Sequence, residues 1–212
     1  MSSALPGPAV FIVDDDDAVR DSLALLLGLR GYATRSFARG EDFLAAIDRN
    51  ASGCILLDLR LPGIDGLAVQ TKLAASEIPL PIIMLTAHGD AATARAALKA
   101  GAFDFLEKPI DDALLRATIE AALARDHEAR DRASRRAAWQ DRLARLTPRE
   151  REVLGLVVHG RHNREIAATL HISPRTVEVY KARVMDKLQV DRLPDLIRIA
   201  LDFELPSKRD AS

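Results

Sequence analysis

The sequence of 212 residues predicts an α/β domain, with a doubly wound sheet of five parallel strands, followed by a small all-α domain of four helices. Three observations predict this division. Short apolar segments alternate with helical patterns in the first half, and only helical patterns follow in the second. Helix-capping residues recur through the second half. The charge divides as well: residues 1–124 carry eleven Lys and Arg against seventeen Asp and Glu, and residues 125–212 carry nineteen against fourteen.

The composition excludes several classes of protein. Apolar residues make up 48% of the chain, which is enough to build buried cores. No apolar run reaches the ~18 residues that a membrane helix needs, and residues 1–8 lack the features of a secretory signal. The single cysteine, Cys54, excludes an internal disulfide and a zinc site built from cysteines. We therefore expect a cytoplasmic protein with no membrane partner, whose basic second half binds an anionic partner.

The five strands are predicted from short apolar segments separated by turn residues and helical patterns. Two of them, Cys-Ile-Leu-Leu and Ile-Ile-Met-Leu, are almost continuously apolar, which is typical of strands buried on both faces of a parallel sheet. Helical patterns over residues 19–30 and 67–75 help to complete five β–α units. The predicted strands are residues 9–13, 32–37, 54–57, 82–85 and 103–106.

The segment from residue 111 to residue 146 is rich in alanine and charged residues and contains no glycine or proline. Opposite charges lie four residues apart in the pairs Asp126–Arg130 and Asp131–Arg135, a spacing that stabilises an exposed helix. We expect the last helix of the first domain to continue into a stiff, charged helical linker. The predicted division is a first domain at 8–125, a linker at 126–142 and a second domain at 143–205.

Four helices are predicted beyond the linker from their cap residues. Thr147 caps the first helix, with a proline in its first turn and Glu150 completing a capping box. Asn163 is expected to cap the second helix and Ser173 the third. A fourth helix over residues 193–202 closes the domain. Capped helices with such short connections fit a helix-turn-helix module, and they fit any other small helical bundle as well.

Polar side chains follow four of the five predicted strands. Because the carboxyl ends of parallel strands meet at one edge of a sheet, we expect these side chains to lie together. Crowded carboxylates favour a hard cation such as Mg²⁺, which could orient a phosphoryl group for attack by a carboxylate. The ammonium would pair with the phosphoryl oxygens and the hydroxyl would donate a hydrogen bond to one of them. The residues are Asp14, Asp15, Asp58, Thr86 and Lys108.

Four segments at these strand ends carry specific motifs: Val-Asp-Asp at 13–15, Leu-Asp-Leu-Arg-Leu-Pro-Gly at 57–63, Leu-Thr-Ala-His-Gly-Asp at 85–90 and Phe-Leu-Glu-Lys-Pro at 105–109. They resemble the receiver domain of two-component response regulators, which has a flavodoxin-like fold. The resemblance implies that Asp58 accepts a phosphoryl group from a sensor histidine kinase. It also implies that Mg²⁺ is held by Asp14, Asp15, Asp58 and the backbone carbonyl of Arg60.

The same resemblance implies that Thr86 and Phe105 form a switch pair, whose aromatic ring moves inward when Thr86 engages the phosphoryl group. Phenylalanine has no hydroxyl, so this switch would act through packing; the alternative is that Phe105 is simply a core residue. A metabolic enzyme is the less favoured class. Phosphatases with an aspartate nucleophile need a second acid at position 60, where this chain has arginine, and no Gly-x-Gly-x-x-Gly follows the first strand.

The third helix of the second domain divides into two faces. One face is expected to pack in the core and consists of Val177, Tyr180, Val184 and Leu188. A recognition helix needs such a packed stripe opposite short or basic residues that enter the major groove, with cations that hold phosphates. The opposite side offers Glu178, Lys181, Ala182 and Met185, with Arg175 and Thr176 in the first turn.

Three segments of the second domain look like the LuxR-type helix-turn-helix: Leu-Thr-Pro-Arg-Glu-Arg-Glu-Val-Leu at 146–154, Asn-Arg-Glu-Ile-Ala at 163–167 and Ile-Ser-Pro-Arg-Thr-Val-Glu-Val-Tyr at 172–180. A receiver followed by this module is similar to the NarL/FixJ response regulators, and most similar to the FixJ subgroup. The resemblance implies phosphate contacts from Arg175, Thr176 and Lys187. It implies contacts with bases from Glu178, Val179, Lys181 and Ala182.

The resemblance implies a transcription regulator rather than an enzyme. Phosphorylation of Asp58 would favour a homodimer formed through the helix at 90–100 and the fifth strand, which would bind double-stranded promoter DNA and act on RNA polymerase. Two alternatives stay open. The receiver could inhibit the DNA-binding domain until phosphorylation releases it, or the protein could be an adaptor that works through receiver–protein contacts without phosphorylation.

Overall fold

The computed structural model describes residues 7–86 and 91–202, with the side chains of 91–94 and 201–202 left aside. The chain divides into two compact units, residues 1–130 and 131–212. This boundary lies inside one long helix and within the predicted linker. Among the described residues, no helix combines the length and the apolarity that crossing a membrane requires.

The first unit contains the predicted sheet of five parallel strands, in the order β2-β1-β3-β4-β5. Every residue of β1, β3 and β4 is buried, which explains their apolar runs. All five predictions are confirmed within one residue at each end. The strands are β1 (Ala9–Val13), β2 (Ala33–Phe37), β3 (Gly53–Asp58), β4 (Ile82–Thr86) and β5 (Asp104–Glu107).

Helices cover both faces of this sheet and form two apolar cores. Along β1, Phe11 and Val13 contribute to one core, whereas Val10 and Ile12 contribute to the other. Among the helices, α2 has no separate prediction because seven residues are too few to show a periodic pattern. The predicted start of α4 at residue 90 lies outside the described residues. The helices are α1 (Asp17–Leu29), α2 (Gly40–Ala46), α3 (Gly66–Ala75), α4 (Ala91–Lys99) and the first part of α5 (Asp112–Ala144).

Helix α5 is continuous over 33 residues, as the absence of glycine and proline predicts. Leu115 and Ile119 pack in the core of the first unit. The expectation that Asp126 and Arg130 form an exposed pair is wrong for Asp126, which is buried. Its carboxylate accepts hydrogen bonds at 2.9 Å from the backbone N–H of Gly53 and from Arg130 Nε, so that it fastens α5 to the start of β3.

The second unit contains the four predicted helices after the last part of α5. The capping box of Thr147 and Glu150 is confirmed, and Ser173 caps the third helix by accepting from the N–H of Thr176 at 3.1 Å. The prediction that Asn163 is a cap is wrong: His162 is the cap residue, because the amide side chain of Asn163 bonds to α8 instead. Residues 203–205 of the predicted domain lie outside the described residues. The helices are α6 (Pro148–Val158), α7 (Asn163–Leu170), α8 (Pro174–Leu188) and α9 (Leu193–Asp202).

Candidate functional site

An acidic pocket lies at the carboxyl edge of the sheet in the first unit. Asp14 and Asp15 follow β1 and Asp58 ends β3, and one carboxylate oxygen of each lies within 4.8 Å of the others. Lys108, which follows β5, places its Nζ 2.5 Å from Asp14 Oδ2 and 3.4 Å from Asp58 Oδ2. The structure therefore brings together the three carboxylates and the ammonium that the sequence placed at separate strand ends.

The pocket disfavours the charged form of Asp58. Burial raises the pKa of its carboxyl group most strongly; the Lys108 ammonium lowers it, the nearby Asp14 carboxylate raises it, and the N–H of Arg60 lowers it. The net shift is upward. For Lys108, burial opposes the charge, but the hydrogen bond to Asp14 and the attraction of Asp58 raise the pKa. The pocket thus combines a firmly charged cation with a carboxylate whose negative charge is poorly compensated.

Backbone contacts fix the positions of the two buried carboxylates. Arg20, on α1, donates from Nη1 to the carbonyl oxygen of Asp14 at 2.7 Å. Gly66, the first residue of α3, packs directly against β3, since a Cβ there would lie 2.4 Å from the carbonyl oxygen of Asp58. Neither residue was predicted as part of the site. No local pattern marks Arg20, and a glycine at the start of a helix does not by itself indicate a close backbone approach.

The donor set of this pocket fits a hard divalent cation. Asp14, Asp15 and Asp58 offer carboxylate oxygens, which Mg²⁺ prefers over nitrogen or sulfur ligands. Asp15 is exposed while Asp14 and Asp58 are buried, so a cation could enter from solvent on the side of Asp15 and contact the two buried carboxylates. Arg60 lies in the loop after Asp58, and its backbone N–H bonds to the Asp58 carboxylate. The role of its carbonyl as a metal ligand stays a prediction.

Thr86 and Phe105 lie on the neighbouring strands β4 and β5. Thr86 ends β4 and is buried, and its carbonyl oxygen accepts from the N–H of Lys108 at 2.7 Å. Phe105 is half-buried and packs against one core of the sheet, opposite Met84 in the strand register. The sheet therefore connects both residues to the acidic pocket. Their roles as a switch pair stay a prediction.

Helix α8 of the second unit has the two faces that the sequence predicts, with one correction. Val177, Val184 and Leu188 are buried and Tyr180 is half-buried, which confirms the packed stripe. Met185 does not belong to the outer face: it packs against the apolar core of Trp139, Leu154 and Leu196. A flexible thioether side chain fills the gap between α8 and its neighbours there.

The outer face of α8 presents short, charged and apolar side chains to solvent. Arg175, Glu178 and Ala182 are exposed, and Val179 is 45% exposed. Lys181 is half-buried and donates from Nζ to the Asn163 side-chain oxygen at 3.1 Å. Thr176 is half-buried, and its hydroxyl lies 2.8 Å from that of the cap residue Ser173. Cations, hydroxyl groups and short apolar side chains are the kinds of group that DNA-binding proteins use to contact phosphates and base edges.

Lys187 makes an ion pair that was not predicted from the sequence. Its Nζ lies 2.7 Å from Oε2 of Glu150, whose side chain is only 3% exposed. The hydrogen bond from Lys187, assisted by the N–H of Thr147 and opposed by burial, holds the pKa of Glu150 below its usual value. The pair joins the first turn of α6 to the last turn of α8. Its partners are 37 residues apart in the sequence, so no local pattern could reveal it.

Two family models match this chain, one in each unit. The response regulator receiver domain matches residues 10–120, and the luxR family of bacterial regulatory proteins matches residues 144–200. The first match contains the acidic pocket and the second contains α8.

Several relatives match nearly the whole length of the chain. The transcriptional regulatory protein FixJ of Azorhizobium caulinodans is 46% identical over 95% of this chain and 94% of its own length. FixJ of Bradyrhizobium diazoefficiens is 42% identical over 91% of this chain and 94% of its own length. Among solved structures, the response regulator StyR is similar with a TM-score of 0.83, 36% identity and coverage of 92% of this chain and 98% of that one. Full-length FixJ from B. japonicum is similar with a TM-score of 0.58 and 41% identity, and the match covers 93% of this chain and 97% of that one.

Proposed function

This chain belongs to the NarL/FixJ family of two-component response regulators, and from this membership we propose that phosphorylation of Asp58 switches its binding to DNA. It is a transcription regulator with a receiver and a LuxR-type DNA-binding domain, which implies a sensor kinase and DNA as partners. The observation that carries the proposal is the buried Asp58 carboxylate, which lies beside two further carboxylates and Lys108.

In the proposed reaction, a carboxylate oxygen of Asp58 attacks the phosphorus of a phosphohistidine on the kinase. The new P–O bond forms as the P–N bond breaks, and the imidazole leaves with its electron pair and takes up a proton. Lys108, already held between Asp14 and Asp58, pairs with the phosphoryl oxygens. Mg²⁺, held by Asp14, Asp15, Asp58 and the Arg60 carbonyl, would neutralise charge on the transferred group.

The phosphoryl group adds a charge of about −1.5 to −2 to a pocket that already holds three carboxylates. Thr86 donates a hydrogen bond to a phosphoryl oxygen, and Phe105 repacks into the space beside it. The two residues lie on β4 and β5, so their movement changes the face formed by α4 and β5. Phosphorylation favours the conformation that binds the phosphoryl group better. In that conformation, this face pairs with the same face of a second copy of the chain.

The dimer would place two α8 helices on a two-fold symmetric promoter site. Arg175 and Thr176 contact phosphates, and Lys187 adds a contact with the one N–H donor that Glu150 and the carbonyl oxygen of Arg145 leave free. Base edges meet the exposed groups of Glu178, Val179, Lys181 and Ala182. Promoter DNA as the partner implies a cytoplasmic location and a further contact with RNA polymerase.

The proposal is tested by phosphorylating the full chain with phosphoramidate and Mg²⁺ and measuring its affinity for promoter DNA by fluorescence anisotropy. We expect a phosphorylated band on a phosphate-affinity gel and tighter binding for the parent protein. Asp58→Asn should show neither. Asp21→Asn, which removes an exposed carboxylate from α1, should behave as the parent does. Tighter binding of Asp58→Asn on addition of the phosphodonor would overturn the proposal.

A further inference from the structure

The loop that connects β3 to α3, residues 59–65, contains the proposed metal ligand Arg60. It begins directly after Asp58, and the N–H of Arg60 bonds to the Asp58 carboxylate. The ends of the loop meet, because the N–H of Gly66 donates to the carbonyl oxygen of Leu59 at 3.0 Å. These contacts fix the two ends of the 59–65 loop. They leave open what holds its middle.

The middle of the loop is held by Glu41, the second residue of α2. Its Oε1 accepts a hydrogen bond from the N–H of Ile64 at 3.2 Å. Its Oε2 lies 3.6 Å from Nε of Arg39. Gly63 adopts a φ of +85°, and a Cβ at this position would collide with Oε1 of Glu41. The loop therefore turns directly against the Glu41 carboxylate.

The start of α2 is itself packed closely against the loop and against α3. A Cβ on Gly40, the first residue of α2, would lie 3.0 Å from Cγ1 of Ile64 and 2.5 Å from Cγ2 of Val69. Phe43, in the same turn of the helix, is fully buried in one core of the sheet. Glu41 therefore extends from a helix end that is anchored on both sides, and it can act as a fixed support for the loop.

We propose that Glu41 is a positioning residue for the metal site: by accepting from the N–H of Ile64, it holds the 59–65 loop and so keeps the carbonyl oxygen of Arg60 in place for Mg²⁺. This role rests on the proposed function, in which Mg²⁺ binds in the acidic pocket. Mg²⁺ demands near-ideal octahedral geometry, whereas Ca²⁺ accepts flexible and variable ligand sets. A loop that lost its support would therefore weaken the binding of Mg²⁺ more than that of Ca²⁺.

The test titrates the isotope-labelled full chain with magnesium chloride, and separately with calcium chloride, while NMR spectra of the backbone amides are recorded. Glu41→Ala should weaken Mg²⁺ binding about fivefold and Ca²⁺ binding by less than about twofold. Its Ile64 amide should exchange with solvent about fivefold faster than in the parent protein, because the acceptor is gone. Glu41→Gln keeps a side-chain oxygen that accepts from the Ile64 N–H, and it should restore Mg²⁺ affinity to within about twofold of the parent.

Asp42→Ala is the matched control, because it removes an exposed carboxylate from the same turn of α2. It should bind both cations as the parent does, which separates the hydrogen bond from a simple loss of charge. Unshifted amide signals of α5 show that each variant is folded.

Three results would overturn this role of Glu41 and leave the proposed function intact. They are parent-like Mg²⁺ affinity in Glu41→Ala, equal weakening of Mg²⁺ and Ca²⁺ binding in that variant, and no recovery of Mg²⁺ affinity in Glu41→Gln. A parent protein that binds no Mg²⁺ would instead overturn the proposed metal site, and the role of Glu41 with it.

Discussion

Asp58 in the first unit and Glu150 in the second unit are both buried carboxylates, and their surroundings shift their pKa values in opposite directions. Glu150 in the second unit accepts hydrogen bonds from Lys187 at 2.7 Å and from the N–H of Thr147 at 2.8 Å, and its pKa is lowered. Asp58 in the first unit is 3.4 Å from Lys108, which lies closer to Asp14, and its pKa is raised. The negative charge of the carboxylate is therefore well compensated at Glu150 and poorly compensated at Asp58.

This difference is the one expected between a structural carboxylate and one that is proposed to react. A buried charge costs free energy unless hydrogen bonds and an opposite charge compensate it. Glu150 has both, so it can join α6 to α8. Asp58 shares one ammonium with Asp14, so its negative charge is only partly compensated, and a bound cation would compensate it further. In the proposed function, the carboxylate with incomplete charge compensation is the one that accepts the phosphoryl group.

The largest effect is expected from removing the compensated carboxylate. Glu150→Ala removes the ion-pair partner of Lys187 and the Glu150 half of the capping box with Thr147, and it should lower the free energy of unfolding of the second unit by about 2 kcal/mol. Trp139 is the single tryptophan and is buried in that unit, so its fluorescence during urea unfolding reports this transition. Glu152→Ala removes a partly exposed partner of Arg149 and should cost below about 1 kcal/mol. Equal losses in the two variants would contradict the special role of Glu150.

The next effect concerns the poorly compensated pocket. Mg²⁺ at about ten times its dissociation constant should stabilise the first unit by about 1.4 kcal/mol, because it binds the folded carboxylates and not the unfolded chain. Amide exchange of the β3 residues measures this stabilisation. Asp15→Asn removes an exposed ligand without disturbing the core and should weaken the effect, whereas Asp21→Asn should preserve it. Full stabilisation of Asp15→Asn would argue against a metal site here.

A smaller effect is expected from pH, and it sharpens the comparison in the second unit. Because the pKa of Glu150 is lower in the folded than in the unfolded protein, its contribution is present above its usual value of 4.5 and is lost as the pH falls below it. Trp139 fluorescence should show the second unit losing stability in that window. In Glu150→Gln this part of the loss should disappear. An unchanged pH dependence would show that the Lys187 pair contributes nothing.

The smallest effect is expected at the DNA surface. Arg175→Gln removes one proposed phosphate contact from the exposed first turn of α8. The slope of log affinity against log salt should fall by about 1, with equal weakening on specific and nonspecific DNA. Val179→Ala should instead weaken binding only to the specific site and leave the slope unchanged. The same slope for Arg175→Gln and the parent protein would remove Arg175 from the proposed interface.

The acidic pocket could be predicted from the sequence because each of its residues is placed by the short segment of sequence around it. Each strand is predicted from its own short segment of sequence, and the polar residues at the carboxyl ends of four strands must lie at the same edge of a parallel sheet. Asp14, Asp58 and Lys108 therefore come together even though they are distant in sequence. The long helix α5 was predictable for a similar reason, since nothing in its own sequence interrupts it.

Contacts that depend on how distant segments approach could not be predicted. Asp126 and Arg130 look in the sequence like any surface pair four residues apart, and only the approach of Gly53 buries Asp126. The pair of Glu150 and Lys187 depends in the same way on how α6 packs against α8. Met185 was placed on the wrong face of α8, because helical spacing alone does not show that a neighbouring helix covers the edge of the stripe.

The central claim is that the state of Asp58 controls assembly, and molar mass measures it most directly. Light scattering of the full chain with Mg²⁺, with and without beryllofluoride as a phosphoryl mimic, should show a monomer that becomes a dimer only when both are present. Asp58→Asn should stay a monomer throughout. A parent protein that keeps its monomer mass in beryllofluoride would contradict dimerisation as the switch. If its affinity for DNA still rose, the receiver would act by releasing the DNA-binding domain instead.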